Sequence, residues 1–218
     1  MNIYIGKDKL DMAAHAAKMA GDRIREAIRL RGEARIIVAT GASQFEFLEA
    51  LVKEPDIDWT KVTGFHLDEY VGISVEHKAS FRNYMRARFV AKTPQPLKAF
   101  NEVNGEAPDP EAEITRLEKL LRVAPIDVAC VGIGENGHLA FNDPPADIDC
   151  ERAYKVVPLD DKCRMQQVGE GWFATKDEVP THAFSMTMKQ MMWAKCIVCT
   201  CPDARKAEAV KGALEGPV

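Results

Sequence analysis

The chain has 218 residues, 46% hydrophobic and 28% charged, with a formal net charge of −4. That length suits one generous domain, and that balance gives no reason to expect nucleic acid or a membrane surface as partner. No apolar run is long enough to span a bilayer, and the first ten residues, MNIYIGKDKL, lack a signal-peptide pattern, so the expected compartment is the cytoplasm.

Residues 2–5 read as a short strand. Asp8 is a candidate N-cap for a helix running to about Arg31, with Gly32 as its stop. Leu10, Ala13, Ala17, Ala20, Ile24, Ala27 and Ile28 follow the i, i+3, i+4 spacing of one buried stripe. Residues 35–39 (RIIVA) form a second strand, then Thr40-Gly41-Ala42-Ser43-Gln44 leads into a helix over 45–53. A strand, a Gly/Ser/Thr turn and a helix leave free backbone N–H groups that suit an anion. An ordinary strand–helix turn reads the same way. The segment is not a P-loop, because it lacks the Gly-Lys-Ser/Thr ending, and with one glycine it is not a dinucleotide fingerprint.

Residues 62–67 (VTGFHL) form a third strand that delivers Asp68-Glu69-Tyr70 to a loop. Two adjacent carboxylates there suggest either a site or a solvated loop. A helix follows over 80–90, with Arg82, Arg86 and Arg88 expected on its solvated face, and another amphipathic helix covers 111–121. Residues 126–133 (IDVACVGI) are a buried strand. It breaks into Gly134-Glu135-Asn136-Gly137-His138. Glycines there let the backbone turn and approach a ligand. Glu135, Asn136, Asn142 and Asp143 are near enough in sequence to orient His138, whose pKa is tunable around neutrality.

Later elements are a strand over 154–159, a short helix over 160–167 carrying Arg164, and a strand over 183–188. A strand over 195–201 and a helix over 202–214 complete the chain, with Lys206 early in that helix. Cys196, Cys199 and Cys201 sit on that last strand. Cys199 and Cys201 share one face and Cys196 the other. No knuckle or second ligand pair at zinc spacing accompanies them, so all three are expected to be buried and structural. The alternation predicts a three-layer α/β/α sandwich with a mainly parallel, Rossmann-like sheet, in one domain over residues 1–218. No internal repeat or linker interrupts it.

Four strands therefore end in equipped loops, which predicts one cleft at a single sheet edge. It would hold an anion pocket, a carboxylate base and an oriented histidine. The loops contain no nucleophilic Ser or Cys near His138, no metal constellation and no nucleotide motif. That inventory suits proton transfer on a small phosphorylated molecule.

HLDEYVGI at 66–73, GIGENGHLAFNDP at 132–144 and RKAEAVKGALEGP at 205–217 resemble the three signature segments of the glucosamine-6-phosphate deaminases (isomerising). The related 6-phosphogluconolactonases, with Asp-Glu-Arg and Gly-His-Thr-Ala-Ser in the matching loops, resemble the chain less. The resemblance implies aldose–ketose isomerisation and deamination of glucosamine 6-phosphate to fructose 6-phosphate and ammonia, without a cofactor. It implies that His138 opens the pyranose under the influence of Asp143 and Asn136, and that Asp68 moves the proton from C2 to C1. Thr40, Gly41, Ala42, Ser43, Glu69, Gly137, Arg164 and Lys206 then fall at substrate-binding positions. Departures are Asn136 for Asp, Asp143 for Glu, Ala42 for Gly and Gln44 for Pro. The chain stops at Gly216-Pro217-Val218 where relatives continue, which leaves room for a missing strand and helix. The alternatives are a lactonase on the same fold and a non-catalytic phosphosugar-sensing module. The partner expected is a phosphorylated amino sugar. Homo-oligomerisation stays open.

Overall fold

The structure is a computed structural model describing residues 1–169 and 171–216. A long helix, α1 (Lys9–Arg31), comes first. The Asp8 carboxylate accepts the N–H groups of Leu10 and Asp11, and Gly32 ends the helix at φ 79°. Ala13, Ala17, Ala20, Ile24 and Ala27 are buried as their spacing predicts, but Leu10 is exposed. Residues 2–5 form no strand. Ile3 and Ile5 lie exposed, and Tyr4 instead stacks on His15 and donates to Asp11.

Five parallel strands make the central sheet: β1 (Ala34–Val38), β2 (Val62–His66), β4 (Ala99–Asn101), β5 (Val128–Val131) and β8 (Ile197–Cys199), in the order β4-β2-β1-β5-β8. Strand β1 alternates its apolar side chains between two cores, as the period of two requires. Ile36 and Val38 pack with α1 and α2 (Phe45–Leu51), while Ile37 packs with α4 (Pro110–Leu121). The short helix α3 (Phe81–Arg88) adds Met85 to the first of these cores. Each face of the sheet is thus covered. The second face is shared by α4 and a small antiparallel sheet of β3 (Asp68–Tyr70), β7 (His182–Met186) and β6 (Tyr154–Pro158). Helix α5 (Asp161–Gly169) follows β6, α6 (Met188–Met192) follows β7, and α7 (Ala207–Glu215) follows β8. Among the described residues no helix is long and apolar enough to cross a membrane.

The small sheet corrects the expectation of a loop at residues 68–70. Asp68, Glu69 and Tyr70 pair with Ser185, Phe184 and Ala183 of β7. Strand β3 is anchored from its other side by Glu69, which is fully buried. The Glu69 carboxylate accepts from the Ser80 hydroxyl, from the N–H groups of Tyr70, Phe81 and Arg82, and from the Arg82 guanidinium. It therefore holds the first turn of α3, where a negative charge meets the free N–H groups of a helix start. Arg82 is not on the solvated face as its spacing suggested. It is buried, and it also bonds Asn104, Ile73 and Glu106. Burial at Glu69 raises its pKa and the donors around it pull the other way.

Removing the cation from a buried, hydrogen-bonded pair leaves a charge stranded in the interior. Arg82→Met is expected to lower unfolding stability by about 3–5 kcal/mol, read as a drop in the urea midpoint at unchanged m-value. A loss under 1 kcal/mol would mean that the backbone donors hold Glu69 alone.

Candidate active site

In the order β4-β2-β1-β5-β8 the chain runs outward from β1 through β2 to β4 and then crosses to β5 on the other side of β1, so the crevice past the C-terminal ends of β1 and β5 is the switch point where open α/β sheets take ligands. The loops after these two strands do converge. A Cβ on Gly132, just past β5, would lie 2.8 Å from Gln44 Nε2 and 3.1 Å from Ser43 Oγ. Glycine is required at 132 by this close approach. Gln44 is fully buried, and its amide donates to Ser43 Oγ at 3.2 Å and to Thr200 Oγ1 at 3.0 Å. It ties the loop after β1 to the end of β8.

The loop itself turns at Gly41, φ 99°, and then makes a short 3₁₀ turn over Ala42–Gln44. Tyr84 on α3 donates its hydroxyl to the Gly41 carbonyl at 2.9 Å. No acceptor for the N–H groups of Gly41, Ala42 or Ser43 is found among the described residues. Three free donors in one turn make a concavity for an anion.

Asp68 begins β3 beside this loop. It is 6% exposed, and Thr40 Oγ1 donates to its carboxylate at 3.3 Å. Burial, and secondarily the charge of Glu69, push its pKa up to about 7, while the Thr40 hydroxyl works against the rise. Its cross-strand partner Ser185 connects it to the histidine loop. Ser185 Oγ accepts the Phe141 N–H and an Asn142 amide hydrogen, each at 3.1 Å. Buried Asn142 donates further to the carbonyls of Leu139 and Met186. Residues 139–142 are thus tied to the strand that faces Asp68.

His138 lies folded back over Gly134. A Cβ at position 134 would sit 2.3–2.4 Å from three atoms of the imidazole ring, a separation no side chain permits. Gly137 turns at φ 89° to bring the ring round, and the Gly134 N–H donates to the His138 carbonyl at 2.8 Å. The ring's Nδ1 is 2.6 Å from Asn136 Oδ1 and 3.1 Å from Asp143 Oδ1, and Asn136 Nδ2 donates to that same carboxylate at 2.7 Å. Two acceptors at Nδ1 assign the proton to Nδ1 and leave Nε2 as the basic nitrogen. Partial burial lowers the His138 pKa, Asp143 raises it, and the charge of Lys206 lowers it. The imidazole is therefore uncharged at neutral pH.

The other expected residues divide. Lys206, at the end of the 3₁₀ turn Ala204–Lys206, is close enough to His138 and Cys201 for its charge to lower both pKa values. Its ammonium makes no hydrogen bond or ion pair among the described residues. Arg164 does not fit the expectation of a phosphate ligand. Its guanidinium donates to the carbonyls of Lys176 and Val179, clamping the segment after α5. Glu69 is likewise consumed inside the protein, as described above. Ser185, Gln44 and Thr200 support the site without having been expected there, and Asn142, expected to orient His138, instead bonds Ser185 and the carbonyls of Leu139 and Met186. Only Gln44 and Asn142 stood near the motifs, and their burial has no local signal. A groove of about 1100 Å³ lies elsewhere, between α2, Trp59 and Gln95. It contains none of the residues described here, and its volume alone carries no chemistry.

Comparison with known proteins gives the family. The profile of the family described as glucosamine-6-phosphate isomerases/6-phosphogluconolactonase matches residues 7–218. A glucosamine-6-phosphate deaminase of Listeria welshimeri is 41% identical over 184 residues, spanning 83% of this chain and 74% of the relative. One from Exiguobacterium sp. is 34% identical over 215 residues, spanning 99% and 80%. The solved structure of a monomeric glucosamine-6-phosphate deaminase, called a missing link of the NagB superfamily, superposes with a TM-score of 0.87 at 28% identity, covering 100% of this chain and 89% of that one. A 6-phosphogluconolactonase from Shewanella baltica shares the fold, with a TM-score of 0.77 at 17% identity over 99% and 87% of the two chains. With a profile match across almost its whole length, the chain belongs to the glucosamine-6-phosphate isomerase/6-phosphogluconolactonase family.

Proposed function

We propose that this chain converts glucosamine 6-phosphate and water to fructose 6-phosphate and ammonia. The observation that carries the reading is the pairing of a buried carboxylate, Asp68 on β3, with an imidazole whose tautomer is set by two acceptors, on a loop tied to the neighbouring strand β7 through Ser185. The reading accords with deaminase relatives that match most of the chain.

The division of labour follows from the two environments. His138 Nε2, neutral and unprotonated, takes the proton of the C1 hydroxyl and returns one to the ring oxygen, which opens the pyranose. Asp68 then removes the C2 proton from the aldehyde form. The electron pair forms the C1–C2 double bond of an enolamine as the C1 carbonyl π pair moves to its oxygen, which takes a proton from solvent, and Asp68 then delivers its proton to C1. The nitrogen at C2 becomes an imine, water adds there, and ammonia leaves. A desolvated carboxylate with a pKa raised to about 7 is a stronger base than one in water. The phosphate would sit against the free N–H groups of Gly41, Ala42 and Ser43, with the Ser43 hydroxyl and the Lys206 ammonium as further donors. Arg164 and Glu69 take structural roles. The reading implies a small-molecule partner in the cytoplasm.

Ammonia release from a panel of hexosamine 6-phosphates, beside hydrolysis of 6-phosphogluconolactone, tests the assignment. Glucosamine 6-phosphate should be the best substrate. Lactone turnover alone would assign the lactonase reaction, and sugar-phosphate binding without turnover would assign a sensor.

Asp68→Asn should still bind the sugar phosphate but lose exchange of the C2 proton with deuterated water. Retained exchange removes Asp68 from the mechanism. The same change reads out the buried charge. Asp68's folded pKa is raised from an ordinary 3.8 to about 7, so below pH ~4 both states are protonated and the substitution is neutral. As pH rises through 7 the native chain must carry an unfavourable charge, and Asp68→Asn should be more stable by roughly 2–4 kcal/mol at pH 8. Activity runs the opposite way, since the base must be ionised: kcat/KM should fall as pH drops through about 7.

Gly134→Ala drives a methyl into the imidazole and should cut kcat at least ~100-fold, the scale of a misplaced catalytic group, while circular dichroism stays native. Wild-type turnover in this variant would show that the ring position is not needed.

A further inference from the structure

Strand β8 ends at Cys199, and Thr200 and Cys201 follow it directly. The Cys199 and Cys201 sulfurs lie 3.8 Å apart. Cys199 is exposed and Cys201 is partly so. This corrects the expectation that these cysteines, with half-buried Cys196, are simply core. The intervening Thr200 points the other way. It is buried, its N–H donates to the Val131 carbonyl at 3.0 Å, and its hydroxyl meets both ends of the Gln44 carboxamide. Gln44 in turn holds Ser43 of the anion loop. Lys206 follows five residues after Cys201. The dithiol and the anion loop are therefore separated by a single buried threonine.

We propose that Cys199 and Cys201 form a thiol modification site that reacts with hydroperoxides, and that its closure to a disulfide loosens the grip of the anion loop on phosphate. Cys201 is the attacking sulfur. The Cys199 S–H bond to it, then the Ile133 N–H and the charge of Lys206, favour its thiolate against the effect of burial. The Cys201 thiolate attacks the terminal peroxide oxygen, the O–O bond breaks, and an alcohol leaves with a proton. The resulting sulfenic acid is attacked at sulfur by Cys199, the S–O bond breaks, and water leaves. In sum the dithiol loses two electrons and two protons, and the hydroperoxide is reduced to alcohol and water.

Coupling to the anion loop is geometric. Residues i and i+2 of an extended strand have Cα atoms roughly 6.6 Å apart, whereas a relaxed disulfide prefers about 5.5–6 Å between Cα atoms and about 3.8 Å between Cβ atoms. Closing the bond shortens the chain across Thr200. The Thr200 hydroxyl is then drawn off Gln44, and the segment leading to Lys206 is rotated.

The site itself stands on the sulfur geometry; its effect on phosphate rests on the proposed function. The full chain is treated with hydrogen peroxide and probed in three ways: peptide mass spectrometry, binding of inorganic phosphate by calorimetry, and steady-state kinetics. The expected results are a Cys199–Cys201 cross-link with loss of two hydrogens, and a phosphate affinity and KM each weakened about fivefold, the equivalent of one lost hydrogen bond. kcat should change less, and dithiothreitol should restore both. Cys199→Ser should keep basal activity, gain only oxygen at Cys201 under peroxide with no cross-link, and hold its phosphate affinity. Peroxide oxidation that spares this pair, or a mapped disulfide with unchanged phosphate affinity, overturns the proposal. If no hexosamine phosphate releases ammonia but phosphate affinity still drops on oxidation, the functional reading fails and this one stands.

Discussion

A carboxylate held out of water without a cation is the constraint on which this site depends. Asp68 and Glu69 are neighbours on one short strand and both are buried, yet they are treated in opposite ways. Glu69 receives a guanidinium and three backbone N–H groups, and its charge is spent on holding α3. Asp68 receives one hydroxyl at 3.3 Å. Strand alternation sends the two side chains to opposite faces, so the donors of α3 satisfy Glu69 and leave Asp68 short. An under-solvated carboxylate is costly for the fold and basic for chemistry, and both follow from the same missing donors.

The small antiparallel sheet is what makes that shortage persist. Were residues 68–70 a loop, Asp68 could swing into water and recover an ordinary pKa. Pairing β3 to β7 removes that freedom. The same strand β7 offers Ser185 to the histidine loop, so one rigid element positions both the base and the imidazole. The central sheet supplies the crevice. The small sheet fixes the distance across it.

Much of this was legible in the amino-acid order. The caps at Asp8 and Gly32, the parallel strands and the loops after β1 and β5 all follow from local rules of turn chemistry and periodicity. His138 and Asp68 stood at strand ends, where the parallel topology brings them to one edge. What stayed hidden depends on partners far along the chain. Arg82 has the spacing of a solvated helix face, and buried Glu69 with the acceptors of Ile73, Asn104 and Glu106 explains why it turns inward. Arg164 is a cation in a short helix after a strand, and nothing local says that the carbonyls of Lys176 and Val179 will claim it. Residues 2–5 alternate like a strand, but no edge among the described residues takes them. The exposure of Cys199 is equally non-local, since it reflects β8 lying at the edge of the sheet.

The two departures in the histidine loop explain each other once the geometry is known. An aspartate at 143 reaches Nδ1 at 3.1 Å, a longer contact than the 2.6 Å made by Asn136. Asn136 bridges the gap, accepting from the imidazole with its oxygen and donating to Asp143 with its nitrogen. An aspartate at 136 could accept but not donate, and it would face Asp143 as a second negative charge across 2.7 Å. Each carboxylate beside Nδ1 also raises the imidazole pKa, which would fill Nε2 with the proton it must be free to accept. One amide and one carboxylate therefore achieve what two carboxylates would not in this loop: a fixed tautomer, a shared hydrogen-bond network and an unprotonated Nε2 at neutral pH.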